Sequence, residues 1–159
     1  MKKAERERFM RAAIAEARRG VRRGDGGPFG AVIVRNGTIV GRGHNRVVGT
    51  KDPTAHAEIT ALRQASRRLG RFHLADCEIF TTCEPCPMCR AALSWARIRR
   101  CTAGCTSGDA ARIGFADAAI AAVLRRPPGP GGPSAKPFLR EECLAVFRLW
   151  RQKKDRVRY

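Results

Sequence analysis

Apolar positions along this chain change period several times, and each change marks an element. Over Lys3–Arg19 the residues Phe9, Ala12, Ala13 and Ala17 gather on one side of a helical wheel among arginines and glutamates. That stretch reads as an amphipathic helix packed on a sheet and ended by Gly20. A glycine-rich turn, Gly24-Asp25-Gly26-Gly27-Pro28, leads into Phe29–Val34, which is apolar and β-branched. Asn36-Gly37 then supplies the positive-φ pair of a two-residue hairpin, with Thr38–Gly41 as the returning strand. Asp52-Pro53-Thr54 offers helix-start chemistry ahead of Ala55–Leu69, where Ile59, Leu62 and Leu69 fall near helical spacing. Cys77–Thr81 reads as a buried strand. Pro85 and Pro87 suit the opening of a helix through Ala96, since proline is tolerated where its missing N–H has no partner. Arg100–Gly104 reads as a short strand, Asp117–Leu124 as a helix and Pro127–Pro133 as an irregular loop. Glu141–Lys154 is a last amphipathic helix carrying Leu144, Phe147 and Trp150.

Strands alternating with helices in this order predict an α/β domain, a sheet between helical layers. At 159 residues, with no internal repeat and no clear linker, one domain over 1–159 is expected. No run approaches the roughly 18 apolar residues of a membrane span. The opening MKKAERERFM lacks the apolar stretch of a signal peptide, so the expected location is the cytoplasm. Seven cysteines cannot all pair, and Cys77, Cys83, Cys86 and Cys89 crowd together, which favours metal or catalytic use over a disulfide framework. The other cysteines, with Cys77, read as small buried hydrophobes: Cys101, Cys105 and Cys143. A net charge of +18 invites RNA or another anionic partner. The basic residues are nevertheless spread over almost every segment, as in a solvated, arginine-biased surface.

Chemistry concentrates in His56-Ala57-Glu58 and Pro85-Cys86-Pro87-Met88-Cys89. One imidazole and two thiolates make three zinc ligands and leave a fourth position for water, as in a catalytic site. Cys86 and Cys89 share one face of a first helical turn, where the helix dipole favours thiolate. His56 and Glu58 lie about 200° apart around a helix axis, so they share a site only at the helix's extreme N-terminus, with the metal beyond it. Two helix N-termini are thus expected to meet at one zinc. Glu58, beside a water acidified from pKa 15.7 to about 7–9, is the proton shuttle and not a ligand. A structural Cys₃His site using Cys83 is the rival reading, and it leaves Glu58 without a role.

These motifs resemble the cytidine deaminase-like superfamily, whose zinc deaminases combine H-x-E with P-C-x-x-C, and most closely its bacterial guanine deaminases. The resemblance extends to Gly26–Val32, Asp52–Glu58, Thr82–Cys89, Trp95-Ala96-Arg97, Ile113–Asp117 and Trp150–Tyr159. It implies a three-layer α/β/α fold with a mixed five-stranded sheet, one zinc per chain, and hydrolysis of guanine to xanthine and ammonia. It also implies a homodimer whose C-terminal segment, about 141–159, is exchanged. By the same resemblance His56, Cys86 and Cys89 are the ligands and Glu58 the shuttle. Asn45 holds the base, Phe29 and Trp95 border a flat slot, Asp117 and Glu142 are additional carboxylates, and Tyr159 closes over the site. Ala116 departs from the pattern, where a second acid is usual.

Three functions remain open at this point: a guanine deaminase, with guanosine as a variant; a tRNA adenosine deaminase, which suits the charge; and a non-catalytic zinc module that binds nucleic acid. Only the third leaves Glu58 unexplained.

Overall fold

In a computed structural model, which describes residues 1–115, 117–125, 135 and 137–157, the N-terminal amphipathic stretch forms helix α1, Lys3–Arg23. It runs past Gly20, which sits on the buried face against the His44 ring. Gly24, in the left-handed conformation, caps the helix instead. Strands β1 (Gly30–Arg35) and β2 (Thr38–His44) form the expected hairpin, with Asn36 at φ 47° and Gly37 at φ 72°. β2 runs three residues past the predicted Thr38–Gly41, and Gly41 and Gly43 lie under a helix. A one-turn helix α2, Val47–Thr50, was not expected and is too short to carry a period.

Helix α3, Ala57–Leu69, starts two residues later than predicted. Asp52 closes a local turn by accepting from the Thr54 amide and hydroxyl, and His56 occupies the N-cap position. Strand β3 is Cys77–Cys83, helix α4 is Pro87–Trp95 with Cys86 at its N-cap, and strand β4 is Arg100–Cys105. An unexpected short helix, α5 (Ser107–Arg112), is capped reciprocally by Thr106 and Asp109. Helix α6 is Asp117–Leu124, as predicted, and α7 is Arg140–Gln152. The predicted loop Pro127–Pro133 lies outside the described residues.

The sheet order is β2-β1-β3-β4, antiparallel except for the parallel β3–β4 pair. Strand alternation divides the core in two. Val32, Val34 and Phe80 pack with Phe9 and Ala13 of α1, whereas Ala31, Ile33 and Ile79 pack with Ala57, Ala61 and Ala65 of α3 and Leu93 of α4. The layers are therefore α/β/α. Among the described residues the sheet has four strands and not five. After Cys105 the chain turns at once into the capped helix α5, and among the described residues β4 is an edge strand. That edge also corrects the reading of the cysteines: Cys77 is buried, but Cys101 and Cys105 are exposed, as is Cys143 on α7.

Two compact units are present, Met1–Ala118 and Ala119–Tyr159. The first holds the whole sheet. In the second, α7 is amphipathic, yet Phe147 is 65% exposed and Trp150 41%. Among the described residues no helix is long and apolar enough to cross a membrane.

Candidate metal centre and substrate cleft

Two helix N-termini converge, as the His56–Glu58 spacing requires. β2 and α3 are pressed together because a side-chain carbon at Gly43 would strike the Ala57 carbonyl, and one at Gly41 that of Ala61. This close seating fixes the start of α3. His56 at that N-cap and Cys86 at the N-cap of α4 face each other, with His56 Nδ1 3.5 Å from Cys86 Sγ and 3.6 Å from Cys89 Sγ. A tetrahedral zinc bound at about 2.1 Å by nitrogen and about 2.3 Å by sulfur spaces such ligands about 3.6 Å apart. The donor set thus fits zinc in both chemistry and spacing. It is also the single group of three or more metal-ligating side chains among the described residues.

The electrostatics suit a cation. A hydrogen bond from the Cys89 thiol and the neighbouring His56 bring Cys86 down to about 4, against the opposing effect of burial. The same sharing holds the Cys89 proton and pushes that thiol up. His56 is raised, chiefly by its bond to Cys86. Glu58 is buried, accepts from the Cys89 thiol at 3.5 Å, and is raised by desolvation. Burial thus favours the protonated form of Glu58, the direction that suits a carboxyl group which takes up a proton and passes it on.

Beside these groups opens a cleft of about 270 Å³, within reach of a small heterocycle. Phe29, Asn45, His56, Glu58, Cys86 and Asp117 all line it. Asn45 is buried, and its Oδ1 accepts from the Val47 amide at 3.2 Å. Asp117 is raised by burial first and then by the Cys86 charge. Cys89 is fully buried. Trp95 is not brought to the cleft of its own chain: it stands at the opposite end of α4 from Cys86, 66% exposed, beside Ala91, Ser94 and Arg97. Glu142 is exposed in the first turn of α7, within the second unit. Tyr159 lies outside the described residues.

Several contributors escaped the sequence reading. Phe115 meets Phe29 edge-on, ring centroids 4.8 Å apart at 84°, and Val47 and Val48 come from the one-turn α2. The sole sequence signal was the Ile113–Asp117 block. Cys83, the fourth ligand of the rival structural site, instead donates its thiol to the Thr106 carbonyl and is pushed up to about 11 by burial.

Residues 3–105 match the cytidine and deoxycytidylate deaminase zinc-binding region. The chain belongs to that family. Within it, the guanine deaminase of Bacillus subtilis (strain 168) is 42% identical over 156 residues, 96% of this chain and 98% of that protein. The X-ray structure of the Bacillus subtilis guanine deaminase superposes with a TM-score of 0.91 at 41% identity, over 100% of this chain and 99% of that one. A tRNA-specific adenosine deaminase of Aquifex aeolicus (strain VF5) is 45% identical over 95 residues, 60% of this chain and 62% of its own length.

Proposed function

We propose that this chain is a zinc-dependent guanine deaminase, converting guanine and water to xanthine and ammonia. One observation carries the reading: similarity to a guanine deaminase runs over 96% of the chain, whereas that to the Aquifex tRNA deaminase stops at 60%. One zinc per chain, held by His56, Cys86 and Cys89, supplies the Lewis acidity that makes water nucleophilic near neutral pH. The chain's own residues do the rest. Glu58 accepts a proton from the attacking water, delivers it to purine N3 as C2 becomes tetrahedral, and passes the next to the departing amine. Asn45 and Asp117 hold the polar edge of the purine, and Phe29 packs on its face. Acceptors such as Asp117 and Glu142 reject rings without matching N–H donors by several kcal/mol, since a group left unpaired on binding costs its desolvation.

The working unit is a homodimer of single-domain subunits, residues 1–159, with the segment 141–159 exchanged between them. The exposed apolar stripe of α7 supports this. Within such a dimer Trp95, Glu142 and Tyr159 complete a purine pocket. The unpaired, clustered cysteines favour a reducing compartment, the cytoplasm.

A second reading, deamination of adenosine in tRNA, draws on the Aquifex similarity and the +18 charge. Ammonia release from guanine, guanosine, adenine, cytosine, cytidine and an adenosine-bearing anticodon stem-loop separates the two. Guanine is expected to be the fastest substrate. Higher turnover of the stem-loop transfers the assignment to RNA, and faster guanosine would mean that the purine N9 side is open to a sugar.

A further inference from the structure

Asn45 stands between His44, the end of β2, and Arg46, the N-cap of α2, and the residue preceding it anchors a polar cluster outside the cleft. His44, at the end of β2, is buried and directs its two ring nitrogens at two carboxylates. Nε2 lies 2.8 Å from Asp25 Oδ2, and Nδ1 lies 3.6 Å from Glu16 Oε2. Glu16 is only 3% exposed and has Arg19 at 3.4 Å and Arg42 at 3.8 Å; Asp25 has Arg23 at 3.2 Å. A side chain at position 20 would collide with the imidazole, so α1 leaves a slot there that the ring fills.

Asp25 is the joint of this cluster. Its carboxylate binds His44, while its backbone carbonyl accepts the amides of Val48 at 3.0 Å and Gly49 at 2.9 Å. The bond from His44 to Asp25 therefore ties the end of β2 to α2, and Asn45 lies between the two tied points. The Asn45 amide donates to the Phe29 carbonyl at 3.0 Å, so both cleft residues share the strain if the tie is cut. Neither His44, Asp25 nor Glu16 lines the cleft. A buried network spent outside the reaction centre is explained if it holds the binding wall in one orientation, because misplacement of about 1 Å is costly in a preorganised site.

We propose that His44 is a positioning residue for substrate: through Asp25 it fixes Asn45 and α2, and so sets the KM for the purine. The proposal rests on the reading of Asn45 as a purine contact. Glutamine places an amide nitrogen near the reach of Nε2, whereas asparagine reaches only as far as Nδ1. His44→Asn and Asp25→Ala are each expected to raise the guanine KM at least about tenfold with kcat within about threefold, and His44→Gln to stay within about threefold on both. The double variant His44→Asn/Asp25→Ala should be no worse than either single one, because all three break one bond. Zinc content and thermal midpoint are measured on the same samples, and Asp25→Ala gives the answer if His44→Asn fails to fold. Unchanged KM in His44→Asn and Asp25→Ala, equal KM losses for the Asn and Gln variants, or losses confined to kcat overturn the proposal. Asn45→Ala run alongside separates the two claims: an unchanged KM there removes the Asn45 contact, while the effect of the tie on α2 is still read from the His44 variants.

Discussion

The metal centre in the first unit and α7 in the second both begin as helices with a clear sequence pattern, but they differ in how much of their surroundings the chain supplies. At the metal centre every group has its partner: His56, Cys86, Cys89 and Glu58 bond to one another, and Cys89 has no exposed surface. On α7 the same amphipathic logic leaves Phe147 and Leu149 each 65% exposed. In the first unit Asp76 ties its neighbour Arg71 to Arg35 on the distant strand β1, whereas among the described residues of the second Arg140–Glu141 and Lys153–Asp155 join near neighbours. A helical period predicts a helix; it does not say whether the chain holds what will cover it.

If that contrast is right, damage to the metal centre should be severe and independent of protein concentration. Glu58→Gln is expected to keep its zinc, measured by metal analysis, and to lose about 10²–10⁴ of its turnover at every dilution, because an amide cannot relay a proton. Near wild-type activity would mean that the shuttle is another group. Damage to α7 should instead appear on dilution. Fully burying a side chain like Phe147 is worth about 1.5–3 kcal/mol. Phe147→Ser is therefore expected to weaken self-association by about tenfold or more, read by sedimentation, and to leave zinc content alone. A monomeric wild-type protein would end the comparison.

Removing Arg156–Tyr159 tests a smaller part of the same half. Turnover of guanine is expected to fall at least about tenfold, or about 1.4 kcal/mol of barrier, with zinc and folding retained, since a closing aromatic excludes water and pins the purine. Unchanged kinetics would assign the tail no role in closure. The smallest effect concerns acid stability. Bonds from Arg71 and then Arg35 hold the Asp76 carboxyl below its ordinary 3.8. Its contribution is then fully present above that value and is lost as pH falls below it towards the depressed folded value. Asp76→Asn should flatten the decline of thermal midpoint in that acid window, and an unchanged decline would remove the role given to Asp76.

The metal centre was legible because its geometry is local. Two residues on opposite sides of a helix can share a site only at its end, so His56-x-Glu58 pointed to the N-terminus of α3, although the turn chemistry of Thr54 suggested a start two residues earlier. The layers were equally plain in the alternation of Ile33 and Val34 between the two halves of the core. What escaped depends on contacts distant in sequence. Phe115 matters because it meets Phe29, α2 because Asp25 holds its amides, and Gly20 because His44 needs its space. The four-stranded sheet departs from the family expectation at its β4 edge, where exposed Cys101 and Cys105 also broke the rule that free cysteines are buried.

The bare backbone at Gly41 and Gly43 has a consequence for how such a sequence can drift. A methyl group at either position meets helix α3 backbone, which has no flexible end to swing aside. Relief must come from lifting the helix, and His56 rides on its first turn. Two positions that carry no chemistry and touch no substrate are thereby as constrained as a ligand, while the arginine-rich exterior is free to accumulate change. Selection on the reaction is in this way felt at residues distinguished only by having nothing there.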